Sequence, residues 1–150
     1  MVLISKPAAP SFVGNLPGST NLCNDFVVGP NKALYISDTF VGDTLYENNV
    51  IFNKLYRVPV DTAGKAGKPI DIWLDKPIKG PDGMRAANGK LFLTENDAGK
   101  LGMVTVSGDT AAVTVLKDGL AVPTSIEPAG GELWYGELEA DRAQSMPLPK

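Results

Sequence analysis

Short apolar stretches closed by glycine, proline or asparagine turns run along this chain, and no amphipathic stretch with helix start and stop signals interrupts them. The pattern predicts an all-β protein, and it repeats. Three segments align: "CNDFVVGPNKALYISDTF" (23–40), "PDGMRAANGKLFLTEND" (81–97) and "PTSIEPAGGELWYGELE" (123–139). Each has a short polar head, an apolar residue (Phe26, Met84, Ile126), a tight turn and an apolar pair ending in an aromatic (Leu34-Tyr35, Leu91-Phe92, Leu133-Trp134). An acid stands three residues after the aromatic each time: Asp38, Glu95, Glu137. Each segment reads as a β-hairpin.

A third strand follows in "KLYRVPVD" (54–61), "LGMVTVSGD" (101–109) and, more weakly, "AQSMPLPK" (143–150). A fourth follows the first two copies, in "PIDIWLD" (69–75) and "AAVTVLKDG" (111–119). Four antiparallel strands per unit are the pattern of propeller blades. The expected layout is one domain over 1–150, with a closing strand and link in 1–22 and blades in 23–80, 81–122 and 123–150, the last incomplete. Three blades fall short of the usual ring of four to eight. Two copies forming a six-bladed ring, each N-terminal strand completing the partner's last blade, would cover the open faces. The alternatives are a piece of a longer chain or a different partner subunit.

Composition narrows the function classes. Hydrophobic residues make up 43% and charged residues 21% of 150, which suits a folded domain. The net charge of −3 gives no reason to expect nucleic acid or an anionic membrane as partner. No apolar run approaches the ~20 residues of a membrane-spanning helix. The opening "MVLISKP" lacks a basic n-region and reads as no secretory signal, and the single Cys23 allows no internal disulfide. The compartment stays open, with the cytoplasm as default. The chain contains no histidine, so histidine triads, histidine-ligated zinc and imidazole bases are excluded.

In an up-and-down blade the first strand starts, and the second ends, on one face of the ring. Asn24, Asp82 and Thr124 would therefore encircle the axis at one mouth, with Asp38, Glu95 and Glu137 on the same face. Two readings compete for these residues. Asn and Asp before a strand often bond their own backbone, and acids at strand ends are often simply solvated, the preferred reading for Asp38, Glu95 and Glu137. Converging oxygen ligands at a channel mouth also suit a hard cation such as Ca²⁺.

"GPDGMRAANGKLFLTEN" and "CNDFVVGPNKALYISDT" resemble blade heads of the gluconolactonase/regucalcin-like family of six-bladed propellers, whose architecture the strictosidine synthase-like and paraoxonase-like proteins share. The resemblance covers residues ~10–150, about half of a six-bladed ring. It implies a divalent metal, usually calcium, held by Asn24 and Asp82, with Asp82 doubling as general base. The family's further glutamate ligand has no clear counterpart: Thr124 stands at the equivalent place, with Glu127 three residues on. Without histidine, a paraoxonase-type histidine mechanism is excluded.

Arg85 is a candidate for a substrate carboxylate or phosphate, and equally for pairing with a neighbouring Glu. Thr124 and Glu95 complete the candidate substrate contacts. The loop 41–53, with Tyr46, Glu47, Asn48 and Asn49, reads as a lid over the mouth. Trp73 and Trp134 read as core, Cys23 as a poor nucleophile, and 59–69 as a hairpin loop on the far face. Two functions follow: a metal-dependent hydrolase of a lactone or ester, or a non-catalytic propeller that binds a small molecule or serves as a scaffold.

Overall fold

The computed structural model describes residues 23–29, 33–38, 53–62 and 65–150. These form twelve strands and, among the described residues, no helix. The predicted N-terminal strand and most of the predicted lid, 41–52, lie outside them.

The first sheet contains β1 (Cys23–Val28), β2 (Leu34–Asp38), β3 (Lys54–Val58) and β4 (Ile70–Asp71) in that order. The second contains β6 (Pro81–Ala87), β7 (Lys90–Glu95), β8 (Lys100–Ser107) and β9 (Thr110–Lys117), edged by β5 (Trp73–Leu74), which runs parallel to β9. The third contains β10 (Pro123–Ala129), β11 (Glu132–Glu137) and β12 (Arg142–Pro147). The stretch 69–75 is thus shared between sheets, unlike the single fourth strand expected. Ile72 N–H still donates to Leu55, whereas Trp73 N–H donates to Asp109 in the next sheet (2.9 Å each).

The sheets meet along their innermost strands, β6 lying against both β1 and β10. Gly83 permits the close approach of β6 and β10: a Cβ there would stand 2.8 Å from the Thr124 carbonyl oxygen and 3.0 Å from Ser125 Cα. Two cores fill the gaps. Tyr35, Leu55, Leu91, Leu93 and Val104 belong to the core between the first and second sheets, while Phe92, Leu101, Ile126, Leu133 and Tyr135 belong to that between the second and third. Alternation along β7 sends Leu91 and Leu93 to one side and Phe92 to the other, so the middle sheet is buried on both faces.

Register makes Tyr35, Phe92 and Trp134 equivalent, paired across their hairpins with Val27, Arg85 and Glu127. Tyr35 packs on the second sheet and Phe92 on the third, but Trp134 is 47% exposed. Trp73, 68% exposed on the two-residue edge strand β5, is likewise not core. The expectation that both indoles are buried is therefore corrected. An aromatic at the middle of a strand is covered only where another sheet lies on its face.

Candidate functional site

The three hairpins begin alike. Cys23 pairs with Asp38, Pro81 with Glu95 and Pro123 with Glu137, and the register shifts immediately afterwards, before Phe26, Met84 and Ser125. Asn24, Asp82 and Thr124 sit within that irregularity. A bulge frees a residue from the ladder and re-aims its side chain, which is why bulges collect beside binding sites. The side chains of Asn24 and Asp38 lie outside the described residues.

Two of the acids opposite the bulges, Glu95 and Glu137, are not solvated, contrary to the preferred expectation. Glu95 is 3% and Glu137 2% exposed. Each holds the turn leading into its inner strand: Glu95 Oε2 accepts from Lys79 N–H (2.8 Å), and Glu137 Oε2 from Ala121 N–H (2.9 Å). The donors are backbone groups two residues before Pro81 and Pro123, so side-chain identity gave no signal of the pairing.

The two carboxylates differ in their remaining partners. Glu137 takes Arg142 Nε and Gln144 Nε2 on Oε1 (2.9 and 2.6 Å) and Arg142 Nη2 on Oε2 (3.3 Å). These bonds, that from Arg142 foremost, lower its pKa below the ordinary 4.5. Glu95 lies opposite Lys100 and beside Gly102, where the third sheet has Arg142 and Gln144. Burial raises its pKa, against the pull of the Lys79 N–H and the Lys100 ammonium.

For Glu137, whose folded pKa is depressed, the stabilising contribution is complete above the unfolded value near 4.5 and is lost as pH falls through the lower folded value. Glu137→Gln should therefore lower the melting temperature at pH 7, and the gap to wild type should close in acid. Arg142 is 55% exposed but the Glu137 side chain is buried, so added salt should narrow the gap only slightly. Melting curves from pH 7 to 2 check both; a gap independent of pH would contradict the assignment.

The residue between each held amide and its proline is left-handed: Gly80 at φ 58° and Val122 at φ 51°. Glycine accepts this conformation and a β-branched residue does not. Val122→Gly should stabilise the protein by about 1 kcal/mol, the strain relieved exceeding the entropy cost of glycine. Gly80→Ala should destabilise, because its Cβ would lie 2.2 Å from Asn96 Oδ1. Chemical denaturation of the two variants tests the pair of opposite signs.

Asn96 is the site residue that sequence reasoning missed. Its Nδ2 donates to Asp82 Oδ2 (3.3 Å), its backbone N–H donates to the Gly80 carbonyl (2.8 Å), and its Oδ1 is buried without a partner. The third sheet repeats this backbone: Leu138 N–H donates to the Val122 carbonyl (3.0 Å). Its side chains are different, with Thr124 for Asp82 and the exposed Leu138 for Asn96. The scaffold is shared, whereas the carboxylate–amide pair is not.

Other candidates are engaged elsewhere. Arg85 Nε donates to Glu127 Oε2 (2.9 Å) and Nη1 to the Met84 carbonyl (2.7 Å). Thr124 lines a shallow concavity of about 350 Å³ with Glu137, Leu138 and Arg142, in which Asp82 takes no part. Asp82 and Asn96 offer oxygen donors, the chemistry of a hard cation. The described residues contain no group of three or more Asp, Glu, Cys or His side chains placed to hold a metal.

No protein-family model matches the chain, and no curated protein matches its sequence. Among solved structures, selenomethionine-substituted virginiamycin B lyase from Staphylococcus aureus is similar, with a TM-score of 0.56 and 23% identity. The alignment covers 89% of this chain and 43% of that one, so the chain spans less than half of its neighbour's length. The fold is that of a β-propeller. At this identity the likeness concerns the fold alone.

Proposed function

We propose that the protein hydrolyses a small lactone or ester at the mouth of its propeller, with Asp82 as the proton acceptor. The observation behind this reading is the Asp82–Asn96 pair at a bulge, on a scaffold that the third sheet repeats without either residue. In this reading Asp82, with Asn24 from the first sheet, would hold a hard divalent cation, calcium being the one that the family resemblance implies. Such a cation supplies Lewis acidity toward a carbonyl oxygen.

The chain's own residues do the rest. Asp82 accepts a proton from water as the oxygen bonds to the carbonyl carbon, and the ester C–O bond then breaks with the proton passing to the departing alkoxide. Asn96 fixes the Asp82 carboxylate. Glu95 acts through the backbone, holding the turn that carries Asp82, and Arg85 stays paired with Glu127 beside it. A lyase reaction here would instead begin with proton removal from carbon, and ¹⁸O uptake from solvent separates the two.

In the same reading the ring is completed by a second copy, with exchanged N-terminal strands and the Trp134 face covered. The second reading, a binding module without catalysis, is favoured by the absence of a three-carboxylate group among the described residues. Elemental analysis of protein purified without chelator, beside a lactone and ester hydrolysis panel, decides between them. Stoichiometric metal and turnover, both lost in Asp82→Ala, support the hydrolase; metal-free, inactive wild type supports the module.

A further inference from the structure

Three residues other than glycine have a left-handed backbone among the described residues: Asn88, Val122 and Asp141. Asparagine and aspartate tolerate that conformation, and valine does not. Val122, at φ 51°, is disfavoured twice. It is β-branched, and the residue before a proline prefers an extended backbone. Gly80, at φ 58°, has the same place before Pro81 without the first penalty.

Hydrogen bonds on either side keep Val122 in place. Ala121 N–H is held by Glu137 Oε2 (2.9 Å), a carboxylate that Arg142 and Gln144 fix in turn. The Val122 carbonyl accepts from Leu138 N–H (3.0 Å), and Leu120 N–H donates to the Gly99 carbonyl (2.9 Å). Strained residues persist only where their surroundings over-determine them, and they collect at clamps and switches. The strain and the gain from a hydrogen bond to a charged group are of similar size, so one offsets most of the other. The chain itself defines the competing state: Val122 extended, with the Ala121 and Leu138 amides released together. We propose that 120–122 is a two-state latch. It sets the spacing of Thr124 and Leu138, which flank the concavity of about 350 Å³ at the head of the third sheet. The second sheet has the same grip, Lys79 N–H on Glu95, with glycine in place of valine and so without the strain. The latch does not depend on the hydrolase reading.

The test compares the full ¹⁵N-labelled chain with its Val122→Gly variant, by native-state amide hydrogen exchange and by relaxation dispersion. Without the strain, Ala121 N–H should exchange about fivefold more slowly, the fold-change that matches the stabilisation expected of this variant. Lys79 N–H should be unchanged. Wild type should show microsecond-to-millisecond exchange at Ala121, Thr124 and Leu138, and the variant should lose it. An Ala121 rate that Val122→Gly leaves as it was would overturn the latch. So would an equal slowing at Lys79, because the opening would then be global rather than confined to this turn. Flat dispersion at all three residues in wild type would also remove it, since no second state would be populated.

Discussion

Trp134→Asp is expected to convert the proposed dimer into a folded monomer. Tyr35 and Phe92, at the equivalent positions, are each sealed by the next sheet, and Trp134 is the one left facing outward. About half of the roughly 200 Å² of an indole side chain remains to be buried, worth about 2.5 kcal/mol at 25 cal/mol/Å². A two-fold ring contains the contact twice, so the loss is about 5 kcal/mol, or roughly several thousandfold in dimer affinity, before the cost of burying two carboxylates. The monomer itself should keep its strands, because Trp134 belongs to neither core of the described residues. Light scattering after gel filtration, with far-ultraviolet circular dichroism, reads both quantities. A wild-type monomer at micromolar concentration would mean that another chain or segment covers this face.

Trp134 also shows what a sequence reveals and what it withholds. The hairpins were legible because their turns carry the residues that turns require, and the spacing of aromatic and acid recurs in all three. Whether an aromatic is core depends on the sheet that follows, which a strand's own pattern does not encode. The reading of Glu95 and Glu137 as solvated failed for a similar reason: the amides of Lys79 and Ala121 bind them, and a backbone amide leaves no trace in residue identity. The stretch 69–75 alternates as one strand yet serves two sheets, since its partners Leu55 and Asp109 are far away in the chain. Asp82 was legible from its place before an inner strand and after Gly80-Pro81. Asn96 was not, because its importance rests on a contact fourteen residues back.

Asp82→Asn is expected to remove the calcium response of the protein together with any lactone or ester hydrolysis. A ligand binding only the folded state stabilises it by RT ln(1 + [L]/Kd), about 2.7 kcal/mol at a hundredfold excess. Wild type should therefore melt several degrees higher in saturating calcium than in chelator, and the variant should gain much less. Asparagine preserves the size of the side chain and its capacity to accept from Asn96 Nδ2, so the variant in chelator should stay within about 1 kcal/mol of wild type. That separation is the strength of the substitution: a purely structural Asp82 would cost the same with and without metal, whereas a ligand and base costs only where cation and substrate act. Asn96→Leu, which copies the third sheet, supplies the intermediate case. It keeps both oxygens of Asp82 but removes the Asn96 Nδ2 donor, so its calcium shift should be reduced rather than abolished. Equal calcium shifts in wild type and Asp82→Asn would remove Asp82 from the cation site and leave the mouth as a binding surface without this chemistry.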